Sequence, residues 1–451
     1  MADFDHHSPD FAVNWREIYG RLRENEPIAR TDAHGGYLVV TRYDDVKRVL
    51  LDPSTFVSGR EVFAPGRDEP LATGVTIPRN PFRLGMMEMD PPDNAKYRKL
   101  LVPWFSGRAI TAASEHIREI VDWCIDRVVE SGRMDLVDDL ANPVPALVTL
   151  DLLGLPLTNW RRYGVVLHEA AYRAKGSAKQ VAWLQADVAR VLDERRANPP
   201  EIATPVDALL AAEVDGAPVP ADIVVEMVFM LLTGGIDTST GLIAHGLRHL
   251  SAHPDLRDRL AADPSLIPGA VDELLRYFTP GTTVARTAAI DTDIGGFAVR
   301  AGERVFLGIG SANSDEREFA HPTGVDIDRE DNRHLAFGMG VHRCLGAFVA
   351  RTEMTIVLEQ VLRRLPDLHV DEAGVVPYPT IPNISGFQAM PATFTPGRRL
   401  RPVAEDDAPP PRADRLRRAA ADLAEQDAAG TTEQDEAWQP AGHIATNGET
   451  R

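Results

Sequence analysis

The sequence predicts a mainly α protein with small β-sheets, organised as one large domain, 1–402, followed by an acidic Ala/Pro-rich tail, 403–451. Three observations lead there. Long stretches repeat apolar residues at helical spacing, β-branched runs of strand length are few, and beyond Pro402 the apolar residues needed for a core give way to Ala, Asp, Glu and Pro. With 44% hydrophobic and 25% charged residues over 451 positions, the composition is that of a globular protein with a sizeable core.

Along the chain, "GGYLVVTRYDDVKRVLLDP" reads as a short strand from Tyr37 to Thr41, then a helix opening at Asp44 or Asp45 and stopping before Pro53. The stretch from Glu61 to Glu88 is rich in Pro and Gly without periodicity, which makes it a functional or mobile loop and a candidate lid. Helical patterns follow in "AASEHIREIVDWCIDRVVE", "QVAWLQADVARVLDERRA" and "ADIVVEMVFMLLTGGIDTSTGLIAHGLRHL". A second strand runs from Arg304 to Ile309, and "GAFVARTEMTIVLEQVLRRL" forms a helix that stops before Pro366. One helix is expected in the tail from Arg412.

Two cysteines exclude a disulfide scaffold, and the distance between Cys124 and Cys344 matches no zinc cassette, so a reducing cytoplasm is the expected location. The N-terminus lacks the basic start and apolar core of a signal peptide, and no uncharged apolar run of membrane-spanning length is read. A formal net charge of −19 argues against general nucleic-acid binding, which needs clustered Lys and Arg.

Three stations carry chemistry. In "HLAFGMGVHRCLG", Gly338 and Gly340 allow a tight loop before Cys344, and a helix begins directly after it, so backbone N–H groups and a helix dipole favour a thiolate. In "MLLTGGIDTSTGL", Gly234 and Gly235 stand together inside a helical pattern at a cost of about 1 kcal/mol each, so something needs that open backbone. A threonine hydroxyl beyond them can replace a ladder partner and shape a groove. In "VDELLRYF", Glu273 and Arg276 lie three apart on one helical face and can pair, although such pairs are ordinary surface decoration when nothing else surrounds them. Cys124, in "VDWCIDR", reads as buried filler.

The frame Phe337-Gly338-x-Gly340-x-His342-x-Cys344-x-Gly346 resembles the haem-binding loop of the cytochrome P450 haem-thiolate monooxygenases. The other two stations resemble that family's oxygen groove and its Glu-x-x-Arg pair, and the likeness runs in order from about residue 36 to residue 396. It implies the family's triangular helix-rich prism, with haem b between the long central helix and the cysteine loop. Cys344 would then be the axial ligand to iron, Phe337 a shield for the sulfur, Gly338 part of the loop, and Gly346 a point of close packing. His342, Arg98, Arg286 and His334 would meet the haem propionates, with Asn94 standing where many members have histidine. Asp237 and Thr238 would form the acid–alcohol pair that times proton delivery, and Glu273 with Arg276 a buried structural pair. The substrate pocket would include Gly235, Gly281, Thr282, Thr283, Val284 and Ile384.

"GGIDT" and "ISGFQAMP" resemble most the soluble bacterial members of the camphor-hydroxylase type. That resemblance implies a monomeric enzyme using O2 as co-substrate, with no bound flavin or nicotinamide and no membrane. Electrons would come from NAD(P)H through a separate iron–sulfur ferredoxin and its reductase, docking where Arg98, Arg343 and Arg351 lie. The expected reaction is hydroxylation of a small hydrophobic molecule, of terpenoid or aromatic type. A haem-thiolate sensor or carrier without oxygen chemistry is the alternative, and a cysteine hydrolase without haem a third reading.

Overall fold

Ser8 accepts a hydrogen bond from the Phe11 N–H and Pro9 follows it, so the first helix, α1 (Pro9–Asn25), begins where a cap and an N1 proline place it. The computed structural model describes residues 4–60, 62–63, 71, 73–403, 408–410, 421–423 and 425–426. Nearly all of the acidic tail, the start of its expected helix at Arg412, and part of the Glu61–Glu88 loop lie outside the described residues.

The helices that follow are α2 (Tyr43–Leu51), α3 (Asp93–Leu101), α4 (Gly107–Val128), α5 (Pro143–Leu153), α6 (Trp160–Ala171) and α7 (Ser177–Ala197). After them come α8 (Pro205–Ala211), α9 (Ala221–Ala252), α10 (Pro254–Ala262), α11 (Ile267–Phe278), α12 (Ile309–Ala312) and α13 (Ala347–Arg364). Ser106 caps α4 through the Ala109 N–H, and α5 ends at Gly154, whose φ of +79° is the left-handed exit that glycine accepts most readily. All the helices expected within the domain are present, and the two expected strands are Tyr37–Val40 and Arg304–Gly308.

Those two strands pair in parallel, Phe306 opposite Val39, inside a five-stranded sheet completed by Ile28–Thr31, Thr283–Ala288 and Phe56–Val57. Arg304–Gly308 also pairs antiparallel with Thr283–Ala288, which sets Arg286 opposite Val305. The sheet packs on α1 and α2, while the main apolar core gathers α4, α5, α6, α7, α9, α11 and α13.

α9 is the central element, in contact with α5, α6, α7, α11 and α13. By length and composition it could cross a membrane, but Asp222, Glu226, Asp237 and Arg248 interrupt it, so it holds no uncharged run of that length, and 72% of its most apolar window is buried inside the protein. Its apolar character therefore belongs to a core helix packed on all sides.

Candidate functional site

Between α9 and the segment preceding α13 lies a cavity of about 320 Å³. Cys344 is exposed to this cavity. The loop that presents it is closed by its own backbone, with the Cys344 N–H donating to Phe337 O at 2.8 Å and the Gly338 N–H to Leu335 O at 2.8 Å. Gly338 and Gly340 have φ of +63° and +67°, and a Cβ on Gly340 would stand 2.8 Å from the Leu50 carbonyl oxygen. A Cβ on Gly346, which precedes α13, would come to 4.0 Å from the Cys344 sulfur. Although its surface opens to the cavity, Cys344 is enclosed by protein on the other sides, and that desolvation pushes the thiol above its ordinary pKa, against the Gly346 N–H and the guanidinia of Arg98, Arg343 and Arg351.

From the other wall come Gly234, Gly235, Thr238 and Ser239 of α9. The helix runs without interruption through this segment, so the paired glycines do not break it. They do two different jobs. A Cβ on Gly234 would meet open space, whereas one on Gly235 would stand 2.7 Å from Thr149 Oγ1, so Gly235 lets α5 approach closely. The Thr238 hydroxyl donates to Gly234 O at 2.8 Å, leaving its oxygen able to accept.

Asp237 does not line the cavity. Its carboxylate is 2% exposed and turned toward His168, whose Nδ1 lies 2.7 Å from Oδ1, and toward the Tyr378 hydroxyl, 3.0 and 3.1 Å from the two oxygens. Nothing adjacent to Asp237 in the sequence signals these partners, which arrive from α6 and from the C-terminal region.

Cationic and polar groups sit at one edge. Arg286 is 3% exposed, lines the cavity, and donates to Ala285 O at 2.8 Å, with no carboxylate paired to it among the described residues. Burial pulls its pKa down to about 10. Arg98, Asn94 and His342 share this lining. Asn94 donates through Nδ2 to Met86 O at 2.8 Å and approaches His342 Nδ1 at 3.3 Å. Burial, with Arg286 and Arg98 nearby, brings the His342 pKa down to about 3, so the ring is neutral.

Besides Asp237, four expected site residues lie outside the cavity lining. His334 is outside the lining, its Nε2 at 3.5 Å from Asp272 and its Nδ1 accepting from the Ala336 N–H. Thr282 and Thr283 spend their hydroxyls on Asn383 O and Leu307 O, and Ile384 is held in a bridge to Gly281, so of this group Gly281 and Val284 reach the cavity. Arg351, expected on a docking face, bonds Asp272 at 2.7 Å and lies over the Phe337 ring.

Glu273 and Arg276 are fully buried and joined by two hydrogen bonds of 2.8 and 2.7 Å. Arg276 also donates to the carbonyls of Asn313, Pro322 and Gly324, while Glu273 accepts from Arg329, Asn332 and the Asp326 N–H. The bare i,i+3 spacing gave no hint of Arg329 or Asn332. The candidate lid is fastened where it is described: Arg304 donates to the carbonyls of Thr73, Gly74 and Thr76, and Arg60 pairs with Glu88.

A family model described as cytochrome P450 matches residues 265–375. The chain is 34% identical over 390 residues to a steroid C26-monooxygenase of Mycolicibacterium smegmatis, covering 84% of this chain and 93% of that protein. It is 36% identical over 369 residues to the nocardicin C N-oxygenase of Nocardia uniformis, covering 80% and 90%. Among solved structures, a Mycobacterium marinum cytochrome P450 in complex with pseudoionone matches with a TM-score of 0.79 at 28% identity, over 87% of this chain and 99% of that one.

Proposed function

The chain belongs to the cytochrome P450 family of haem-thiolate monooxygenases, and on that premise we propose that it hydroxylates a small hydrophobic organic molecule with electrons from a separate ferredoxin and its reductase. The observation that carries this reading is one cavity lined by Cys344, Thr238 and Arg286, the last without an ion-pair partner among the described residues and with only the more distant charge of Asp90 acting on it. A buried guanidinium without a carboxylate is costly, and a carboxylate-bearing macrocycle answers that need. The residues present fit haem.

When bound, haem supplies reductive activation of O2, with thiolate donation favouring O–O cleavage. The chain supplies the rest. Cys344 would ligate iron, and the cation would hold the thiolate that burial alone disfavours. Arg98 and Arg286 would neutralise the propionates, with His342 and Asn94 adding hydrogen bonds. Phe337, Gly338 and Gly346 would shape the shielded pocket around the sulfur. Thr238 would hold a water through its accepting oxygen, and Asp237, one residue before it, would be the acid that feeds protons toward that water.

Val75, Met86, Leu152 and Met230 give the cavity an apolar, adaptable wall, which suits a hydrophobic substrate. The names of relatives span a steroid C26-monooxygenase, a mycinamicin IV hydroxylase/epoxidase and a nocardicin C N-oxygenase, so they support the reaction class more than one substrate. Terpenoid and aromatic compounds are the first to screen. The ferredoxin would approach the thiolate side, where Arg343 remains a docking candidate. We also propose that 1–402 forms the single catalytic domain and 403–451 an acidic appendage to it.

The test is a spectral screen for compounds that perturb ferric haem, followed by turnover under ¹⁸O2 with a ferredoxin and reductase. One labelled oxygen in the product supports the reading. Haem-loaded protein that binds such compounds yet yields no oxygenated product would instead favour a sensor or carrier.

A further inference from the structure

The Asp237 carboxylate is buried in a closed network rather than facing the cavity. His168 Nδ1 lies 2.7 Å from Asp237 Oδ1 and 2.9 Å from the Tyr378 hydroxyl, and that hydroxyl reaches both carboxylate oxygens. The three groups come from segments far apart in sequence: α6, α9, and the stretch directly after the short strand Val376–Pro377, where Tyr378 lies. Each partner leans on the others, since the Tyr378 and His168 rings are 5.3 Å apart and the Tyr172 ring lies 4.8 Å from Tyr378.

A carboxylate acceptor 2.7 Å away places a proton on Nδ1, and the Tyr378 hydroxyl, buried and kept protonated, is a donor to the same group. A carboxyl group at 2% exposure needs buried hydrogen-bond partners, and beside Thr238 this one finds them in His168 and Tyr378.

We propose that His168 and Tyr378 are positioning residues for the proton relay: His168, on α6, supplies a charged hydrogen-bond partner to the Asp237 carboxyl group, and Tyr378 fixes that group's orientation. The inference rests on the reading of Asp237 and Thr238 as the relay. Neither positioning residue touches the cavity. They act through Asp237, and they tie the relay to the placement of α6.

The surroundings of His168 set the sign of its pH dependence. Burial pulls the imidazole down, but Asp237 and, more distantly, Asp138 leave it above its ordinary 6.5. Tyr172 and Tyr378 face it as neutral phenols, and Phe387 presents a backbone group. From the packed neighbours of α6, Asp187 of α7 is bound by Tyr163 and Arg190, and Asp151 of α5 is directed to His116. The counter-charge is therefore present at and below pH 6.5 and is lost as pH rises through the raised value.

Two measurements on the full chain test this. In the diamagnetic ferrous carbon monoxide form with ¹⁵N-labelled histidine, the resonance that disappears in His168→Gln should titrate above 6.5 and fall by about one unit or more in Asp237→Asn. A midpoint at or below 6.5 that Asp237→Asn does not move overturns the pairing, independently of any turnover.

In coupled turnover, His168→Gln should lower product per electron by about tenfold, below the roughly 10²- to 10⁴-fold that loss of proton transfer itself costs, and should flatten the pH profile. Tyr378→Phe should shift coupling in the same direction by less, with the carbon monoxide spectrum and substrate affinity unchanged. If His168→Gln keeps wild-type coupling and pH profile while Thr238→Ala uncouples, the positioning role is overturned and the relay stands. If Thr238→Ala also stays coupled, the relay reading fails and this inference falls with it.

Discussion

A methyl group on Gly340 would sit 2.8 Å from a backbone oxygen at a φ of +67°, where neither the Leu50 carbonyl nor the loop has a flexible atom to move aside. Gly340→Ala is therefore expected to cost about 2 kcal/mol through left-handed strain and the clash, read as a fall in unfolding temperature with loss of haem retention. Single residues of this kind are the most legible in sequence, because their demand is local: the glycines flanking Cys344 announce a tight loop whatever surrounds it. His334 and Arg351 were not legible. The family resemblance implied a propionate role for His334, and charge suggested a docking role for Arg351; what the sequence did not signal is that both turn to Asp272, a partner that only the packing of α11 against the cysteine loop brings near. His168 and Tyr378 stand 69 and 141 positions from Asp237 and carry no motif that points to it.

Between elements, the same glycine argument becomes a packing test. Gly235→Ala should destabilise the contact of α5 with α9 by about 1–3 kcal/mol, and Thr149→Ala should restore most of that loss, because the removed atoms are the ones 2.7 and 3.1 Å from the new methyl. Gly234→Ala, which meets open space, should cost nothing and instead gain up to about 1 kcal/mol of helix propensity, and thermal unfolding of the three variants separates the cases. The Glu273–Arg276 pair ties α11 to the loops at Asn313, Pro322 and Gly324, so Arg276→Met leaves the buried Glu273 carboxylate with Arg329 as its remaining cation, beside Asn332 and the Asp326 N–H, and should cost about 3–5 kcal/mol in denaturant unfolding. Helices and strands were readable because periodicity and caps are local. The pocket side of Thr283–Ala288 was less so, since strand alternation alone does not say that Thr283 bonds across to Leu307 while Val284 faces the cavity.

For the molecule as a whole, buried titratable groups give stability two opposing slopes. Burial holds the pKa of His6 and His245 down to about 3 and that of His7 to about 4, below the unfolded value of 6.5. Their contribution is present above 6.5 and is lost as pH falls toward those lower values. Burial raises Glu353 to about 8, above its unfolded 4.5, so its contribution is present below 4.5 and is lost as pH rises toward 8. Unfolding temperature should therefore peak between these losses, and Glu353→Gln should flatten the alkaline side while leaving the acid side in place. None of this changes the identity of the site, which depends on one sulfur. Cys124, the other thiol, is buried in the core of α4 and cannot substitute for Cys344. The most direct test is the ferrous carbon monoxide spectrum of the wild type and of Cys344→His. A thiolate-type band in the wild type that is lost in the variant is the expected result, and retention of that band without Cys344 would contradict the account.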